Sequence, residues 1–487
     1  MNQNKTKIVV TIIAITAILA TSLTGCFRKE QEVTTATLEP ATLVYYKMFD
    51  GEDTMKPLIQ QYQAENPMVQ IIYRKFDNLK EYEDLIINEL AEGEGPDIFS
   101  VPNYWFLRHK KKISPLPYEM MTPEIFDQTF VSVATNDLVL RDPADGYSKI
   151  YGLPLTVDTL AVYYNKSTFE DKVPSRGRPA ETWEELKEDV FKLTKTDNSF
   201  ERFEVAGISM GRADNISRAV DILYLLMIQH GAQFYNENIS SATFDKEKSI
   251  TATGQSINPA TEALDLYTSF ALPANKNYSW NQYLADSRQH EKEMETFARG
   301  KVAMIFGYSY LYEDLKNKIE DLSKKGVNTM DPADIKIAPV PQVNDPNTST
   351  EKRDAYANYF AETVSRTSEN QRAAWDFLMF ITTKENVAFY SDKTKKPTSR
   401  RDMIEDQTLD PIYGVFASQI GYAESLPIYD ADRYEEIFSA AINSVLATVS
   451  PADAIKIAAE DVNSLLPSEG LIPPAPIITD EANASGS

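Results

Sequence analysis

The stretch Gly152-Leu-Pro-Leu-Thr-Val-Asp-Thr-Leu-Ala-Val-Tyr-Tyr-Asn-Lys166 decides how the rest of the chain is read. Its β-branched and aromatic alternation predicts one long strand with a polar break at Asp158. Strands commonly run about 5 to 6 residues. This one is longer and opens on Gly and Pro, so it predicts a crossing between two bodies; the plain alternative is a core strand with one bend.

Upstream of it, Leu43–Tyr46 reads as a strand, and Met55, Leu58, Ile59 and Tyr62 recur at helical spacing until Asn66-Pro67. Val69–Tyr73 is a second strand. A second helix carries Tyr82, Leu85, Ile86 and Leu90 and closes at Gly93, after which Gly95-Pro96-Asp97-Ile98-Phe99 turns into a third strand. Alternating strands and helices predict a parallel sheet, and ligands of such sheets sit beyond the carboxyl ends of the strands. Asp50 follows the first strand and Asn103-Tyr104-Trp105 follows the third, so both loops fall at that edge.

Downstream, Thr182 and Glu185 fit a capping box at the start of a helix. Val205–Ser209 reads as a strand, followed by an apolar helix around Ala219–Ile228 that Gly231 closes. Ile335–Pro341, heading for the polar loop Asn344–Lys352, is read as the return crossing. Ser368 and Gln371 open a helix with Ala374, Phe377, Leu378 and Ile381 inward. Ser450-Pro451 opens the last helix, whose buried stripe is Ile455, Ala459, Val462 and Leu466.

At 487 residues the chain exceeds one ordinary core, and about 150 residues per domain allows two or three. Hydrophobic residues make up 43%, the share of a folded soluble protein, and the net charge of −23 repels phosphate backbones, so nucleic acid is excluded as a partner. Lys5 and Lys7, the apolar run Ile8–Ala20 and Leu23-Thr24-Gly25-Cys26 form a signal peptide over residues 1–25. The apolar run is shorter than the roughly 20 residues that span a bilayer. Leu-Thr-Gly-Cys resembles a bacterial lipobox, which makes Cys26, the single cysteine, the lipidated first residue of an exported, membrane-anchored chain. Residues 26–40 then form a flexible tether, and residues 468–487, Pro-, Ala- and Ser-rich, a disordered tail.

Five or six short blocks carry a family resemblance, among them Gly152–Lys166, Gly95-Pro-Asp-Ile98, the run Phe297–Tyr310 and Lys396-Pro397-Thr398-Ser399-Arg400. In this order and spacing, over about residues 41–467, the chain resembles the family 1 extracellular solute-binding proteins, the maltose-binding-protein group. The resemblance implies an α/β, two-lobe periplasmic-binding-protein-like fold with a hinge. Its N-terminal lobe is expected at 41–155 and 342–420, and its C-terminal lobe at 156–341 and 421–467. It implies capture of a sugar between the lobes by a monomer and delivery to the permease subunits of an ABC importer, on the outer side of the membrane. Lys396 and Tyr310 stand where the family usually has an apolar residue and Trp.

Sugars present C–H faces that stack on aromatics and hydroxyls that pair with acids and amides. The candidate ligand contacts are Asp50, Asn103, Tyr104, Trp105, Asp158, Trp280, Tyr308, Tyr310 and Tyr434, with Tyr283 beside them. The resemblance places Asp158 near the ligand, Tyr310 at the stacking position and Tyr434 near a second aromatic position. Trp105 is the favoured single contact. The alternatives are core packing for each aromatic, a peptide or other polar solute as ligand, and a surface lipoprotein that has lost its ligand. Gly207-Ile208-Ser209-Met210-Gly211 matches the nucleophile-elbow pattern of serine esterases, a remote alternative, but of the two downstream histidines His230 is expected to cap the end of its helix and His290 to lie on a solvated charged face, so no enzymatic activity is expected. Three scattered histidines and one cysteine form no zinc motif, and no phosphate-binding glycine loop occurs, so no metal and no cofactor is expected.

Overall fold

A computed structural model describes residues 39–142, 145–197, 202–249, 256–285, 292–345 and 352–471. The signal segment, Cys26, the tether before Glu39, His290 and the tail from residue 472 lie outside the described residues. Among the described residues, no helix is long and apolar enough to cross a membrane.

The first sheet begins with β1 (Ala41–Met48), whose second half, Tyr45–Met48, is buried. Burial of successive residues, which point to opposite faces, is the mark of a strand covered on both sides. Helix α1 (Glu52–Glu65) covers it with Met55, Leu58, Ile59 and Tyr62 and ends where the Asn66 N–H bonds the Tyr62 carbonyl at 2.8 Å. Strand β2 (Val69–Phe76) pairs parallel with β1 from Ala41↔Val69 to Met48↔Phe76. Asn78 caps α2 (Leu79–Glu92), accepting from the Lys80 and Glu81 N–H groups, and Gly93 closes it at φ 78°, a conformation that glycine adopts without strain. Strand β3 (Ile98–Pro102) then pairs parallel with the other edge of β1. The strand-helix alternation is thus realised, with β1 central. The Gly-Pro-Asp turn locks the register: one Asp97 carboxylate oxygen accepts from the Val44 N–H at 2.8 Å and the other from the Ser368 hydroxyl.

The chain next adds β4 (Ile113–Ser114) and reaches Gly152–Lys166. The long strand expected there is three short ones: β5 (Leu153–Pro154), β6 (Asp158–Thr159) and β7 (Ala161–Asn165). Each pairs into a different sheet, and Pro154, which has no N–H, marks the first break. In the second lobe Thr182 caps α3 (Trp183–Leu193) by accepting from the Glu185 N–H. Helix α4 (Ala219–Gln229) is apolar nearly all round and buried accordingly. Helix α5 (Pro259–Ser269) packs beside it. Strand β7 is the centre of a three-stranded sheet, flanked antiparallel by β8 (Met304–Gly307) and β9 (Ile335–Ala338), with α6 (Leu311–Lys324) following β8.

The return crossing therefore does not lie at Ile335–Pro341. Strand β9 folds back on β7, and the chain crosses later, through β10 (Ala355–Asn358) and β11 (Phe360–Ser365). Strand β10 pairs antiparallel with β6 (Ala357↔Thr159, Asn358↔Asp158), and β11 inserts antiparallel between β3 and β4 while also pairing β5. Helices α7 (Gln371–Ile381) and α8 (Lys384–Thr394) pack on α1, and the expected inward residues of α7 are fully buried. Asn370, not Ser368, occupies the N-cap of α7, and the Ser368 hydroxyl accepts from the Asn370 N–H. Helices α9 (Ala431–Leu446) and α10 (Pro451–Leu465) return to α4 and α5, with Ser450 capping α10 as its sequence foretells.

Substituting Asp97→Ala leaves the partly buried Val44 N–H without its acceptor, at a cost of about 1–3 kcal/mol. We expect a single cooperative transition at lower denaturant, measured by urea unfolding; an unchanged midpoint would remove Asp97 from the register lock.

Candidate functional site

The carboxyl ends of β1 and β3 and the two crossings meet at a cavity of about 560 Å³. From the first lobe it is lined by Phe49 and Asp50 at the end of β1, Tyr104 after β3, and Tyr390 and Lys396 around the end of α8. The polar side of this wall is a buried charge network. Asp50 lies 3.3 Å from Lys47 and 3.1 Å from Lys396 and accepts from the Tyr390 hydroxyl. Burial alone would raise the Asp50 pKa; the two lysines and the Tyr390 bond outweigh it and hold the carboxyl down at about 2. Lys47 also meets Glu362, which accepts from the Tyr45 and Ser100 hydroxyls, each at 2.7 Å.

The second lobe contributes the turn after β8. Tyr308 is buried and donates to Asp221 at 2.9 Å. Tyr310, 40% exposed, stacks on it with centroids 6.2 Å apart and planes at 24°. The Arg218 guanidinium lies within 6 Å of both ring centroids, donates to the Tyr310 hydroxyl and pairs with Asp221 at 3.6 Å. Burial works against the Arg218 charge, but Tyr310, Asp221 and Tyr308 secure it. An aromatic platform is thus clamped in one orientation on the cavity wall.

Asp158 and Asn358, register partners of the β6–β10 pair, line the crossing side. The Asp158 carboxylate accepts from the Ser309 N–H at 3.0 Å, the Ser309 hydroxyl at 2.6 Å and the Thr159 N–H at 2.9 Å. Two of these three donors belong to Ser309 in the aromatic turn, so Asp158 positions Tyr308 and Tyr310. Burial pushes the Asp158 pKa up to about 6, against the pull of those donors.

Of the sequence candidates, Asp50, Tyr104, Asp158, Tyr308 and Tyr310 line the cavity. Four others do not. Trp105 is 6% exposed, stacked on Tyr82 and edge-on to His109, because the single 3-10 turn Asn103–Trp105 sends neighbouring side chains in different directions. Asn103 is spent on structure, donating to Asp137 at 3.1 Å and accepting from the Tyr359 N–H, and it lines a smaller neighbouring cavity. Trp280 is fully buried with its indole N–H on Asn215, and buried Tyr434 meets the Tyr235 hydroxyl at 2.9 Å. Tyr283 is exposed and apart from the cavity lining.

Sequence reading missed Phe49, Tyr359, Phe360, Arg218 and Tyr390. Phe49 has φ 66°, rare for a non-glycine residue, stands 47% exposed and meets the edge of Phe360 at 5.8 Å. The available signal was a large apolar residue directly before Asp50-Gly51 at a strand's carboxyl end. The esterase pattern lacks its geometry: Ser209 is fully buried, and its hydroxyl has no hydrogen-bond partner among the described residues. His230 directs Nδ1 to the Leu226 carbonyl at 2.8 Å, at the end of α4.

A cavity at the carboxyl ends of a sheet, walled by two α/β lobes and crossed by paired strands, defines a two-lobe binding protein. The chain belongs to the bacterial extracellular solute-binding protein family, whose sequence model matches residues 50–388. It is 23% identical over 412 residues to a protein of Brucella abortus described as a candidate binding protein, an alignment covering 83% of this chain and 88% of that one. Among solved structures it is similar to the sugar-binding protein MalE of Xanthomonas citri (TM-score 0.68, 15% identity, 87% and 97% of the two chains). It is also similar to a cyclo/maltodextrin-binding protein complexed with maltotetraose (TM-score 0.65, 18%, 87% and 97%). A third is a solute-binding protein of Thermotoga lettingae bound with α-D-tagatose (TM-score 0.62, 20%, 88% and 100%).

Two outcomes follow from these placements. Trp105→Ala should lower stability by about 3–5 kcal/mol, the usual range for a buried Trp, while the ligand affinity of the folded fraction changes little. Calorimetric unfolding beside ligand titration checks it; affinity lost at unchanged stability would return Trp105 to the cleft. The second concerns pH. Because the folded Asp158 pKa of about 6 lies above its ordinary value of 3.8, the unfolded chain releases this proton first as pH rises, and stability falls between about pH 4 and 6. Asp158→Asn lacks that loss, so its unfolding free energy relative to the parent, from urea unfolding at each pH, should climb across the window and level off above it, by up to about 3 kcal/mol. A difference flat with pH would refute the assignment.

Proposed function

We propose that this protein captures a carbohydrate, an oligosaccharide in particular, in the cleft between its lobes and hands it to the permease subunits of an ABC importer. The observation that carries the reading is the Tyr308–Tyr310 platform on one lobe facing the same cavity as Phe49 and Phe360. Sugar rings have apolar faces that settle on such surfaces, and their hydroxyls find polar partners in Asn358 and the rim of the charge network. The cavity's cations, Lys47, Lys396 and Arg218, are each already paired with carboxylates, which disfavours an anionic ligand. The sugar complexes of structurally similar proteins support the same class.

In this reading the lobes comprise residues 41–155 and about 359–420, and 156 to about 354 and 421–467, with the expected boundary at 342 moved to the return crossing through β10. Ligand contacts made by both lobes drive closure by rotation about the paired crossings β6 and β10. The exposed ion pairs Lys80–Asp432 and Arg108–Asp430, both at 3.3 Å, add little stability of their own. Residues 1–25 direct export, a lipid on Cys26 anchors the protein on the outer membrane face, and the protein works as a monomer.

A thermal-shift screen against mono-, di- and oligosaccharides, amino acids and short peptides tests the reading. A ligand at a hundred times its Kd adds roughly 2.7 kcal/mol of stability. We expect a sugar to raise Tm, and Tyr310→Ala to weaken it by about tenfold or more, roughly 1.4 kcal/mol. Stabilisation by peptides alone would overturn the ligand class, and silence throughout would mark a surface protein without a ligand.

A further inference from the structure

The end of the first sheet opposite the cleft carries a feature of its own. Strand β11 pairs antiparallel with both β3 and β4, and β3 is parallel to β1, so β1, β3 and β4 all begin at this edge. Backbone bonds run along it: the Asp97 N–H to the Val44 carbonyl at 2.9 Å, then the Ser365 N–H to the Asp97 carbonyl and the Arg366 N–H to the Lys112 carbonyl, both at 2.8 Å. The chain enters the first lobe at the same edge, through Ala41. At about 4.8 Å per strand, β4 begins roughly 14 Å from β1.

Cations collect at this edge in a chain of net charge −23. Lys110-Lys111-Lys112 leads into β4, with Lys111 exposed and its two neighbours half-buried. The Lys110 ammonium donates to the Arg141 carbonyl at 3.0 Å, which ties in the antiparallel pair Val139–Arg141 and Ser148–Ile150. Exposed Arg366 donates to the Ile113 carbonyl at 3.0 Å. Among the described residues none of these five cations has a carboxylate within ion-pair distance, and the hairpin's own Asp142 and Asp145 are held by Lys149 at 2.8 and 2.6 Å. Burial lowers the Lys110 pKa, with Lys111 adding to the effect against the pull of Asp142. Two tyrosines project from the same face. Tyr147, at the hairpin tip, is 73% exposed, and Tyr118, just past the bond from the Leu116 N–H to the Ile150 carbonyl, is 66% exposed.

We infer that this edge is a docking surface for anionic phospholipid headgroups, which holds the first lobe against the membrane with the cleft turned outward. The inference rests on the reading of Cys26 as the lipid anchor. Fully extended, residues 26–40 reach at most about 50 Å, so an anchored chain stays close to the bilayer. The overall negative charge turns most of the molecule away from an anionic surface, and the unpaired cations beside the point of attachment are the part that such a surface attracts. A basic patch next to a lipid is an established second hold on a membrane, and exposed tyrosines suit headgroup depth.

Amine acetylation of the full lipidated chain in vesicles, read residue by residue by mass spectrometry, tests it. On phosphatidylcholine vesicles with about 30% phosphatidylglycerol, Lys111 should react at least about threefold more slowly than on phosphatidylcholine alone. Lys80, 74% exposed at the cleft rim, should react equally on both. In 1 M NaCl, where the screening length is about 3 Å, the protection of Lys111 should vanish. The surface variant Lys112→Gln/Arg141→Gln should lose most of that protection at unchanged Tm. Equal Lys111 rates on the two vesicles, equal protection of Lys80, or protection by inorganic phosphate on phosphatidylcholine alone overturns the inference while the anchor stands. A chain that floats with neither vesicle overturns the anchor and the inference together.

Discussion

One carboxylate ties the hinge to the binding surface. Asp158 sits on the first crossing strand, and three of its hydrogen bonds tie that strand to the Ser309 turn and to its own neighbour Thr159. Ser309 lies between the two stacked tyrosines, so the platform cannot turn without disturbing the crossing, and the crossing cannot bend at Asp158 without moving the platform. Confining a carboxylate this deeply costs solvation, visible as its raised pKa, and the three donors offset only part of that cost. The site thus gives up some stability to keep ligand surface and hinge in register.

The first lobe solves the opposite problem with charge. Lys47 is 3% exposed and Glu362 1% exposed, and neither is tolerable alone. Together with Asp50, Lys396 and three tyrosine and serine hydroxyls they form a network in which each buried charge has an opposite neighbour. Replacing one member strands the rest, so this wall is stiff. The mobile polar groups left to a ligand are those at its rim. Stiff charge on one lobe and a clamped aromatic platform on the other leave the hinge as the principal degree of freedom.

Much of this was legible in the sequence wherever a signal was local. Period, caps and glycine stops located β1–β3, α1, α2 and α10, because helix and strand periodicity is written within a dozen residues. The aromatic turn at Tyr308–Tyr310 was found through its strand-turn context and its family resemblance. What failed was orientation within a turn and pairing over distance. Trp105 and Tyr104 are adjacent, yet a 3-10 turn buries one and gives the other to the cavity. Arg218 reaches Tyr310 across 92 residues and Tyr390 reaches Asp50 across 340, separations at which sequence pattern carries no contact information. The return crossing was misplaced because β9 and β10 look alike as short apolar strands, and only pairing with β7 or β6 separates them.

The placement of β11 has a consequence for how the molecule is made. It fills the edge of β3, and the Ser100–Glu362 bond that joins them spans 262 residues. At about 5–20 residues synthesised per second, the open edge of β3 precedes its partner by roughly 13 to 50 seconds. An unpaired, apolar strand edge exposed that long is a template for association with other chains. The fold therefore favours a route on which the chain is kept from folding until all of it is present, and it makes completion of the first lobe wait on the second.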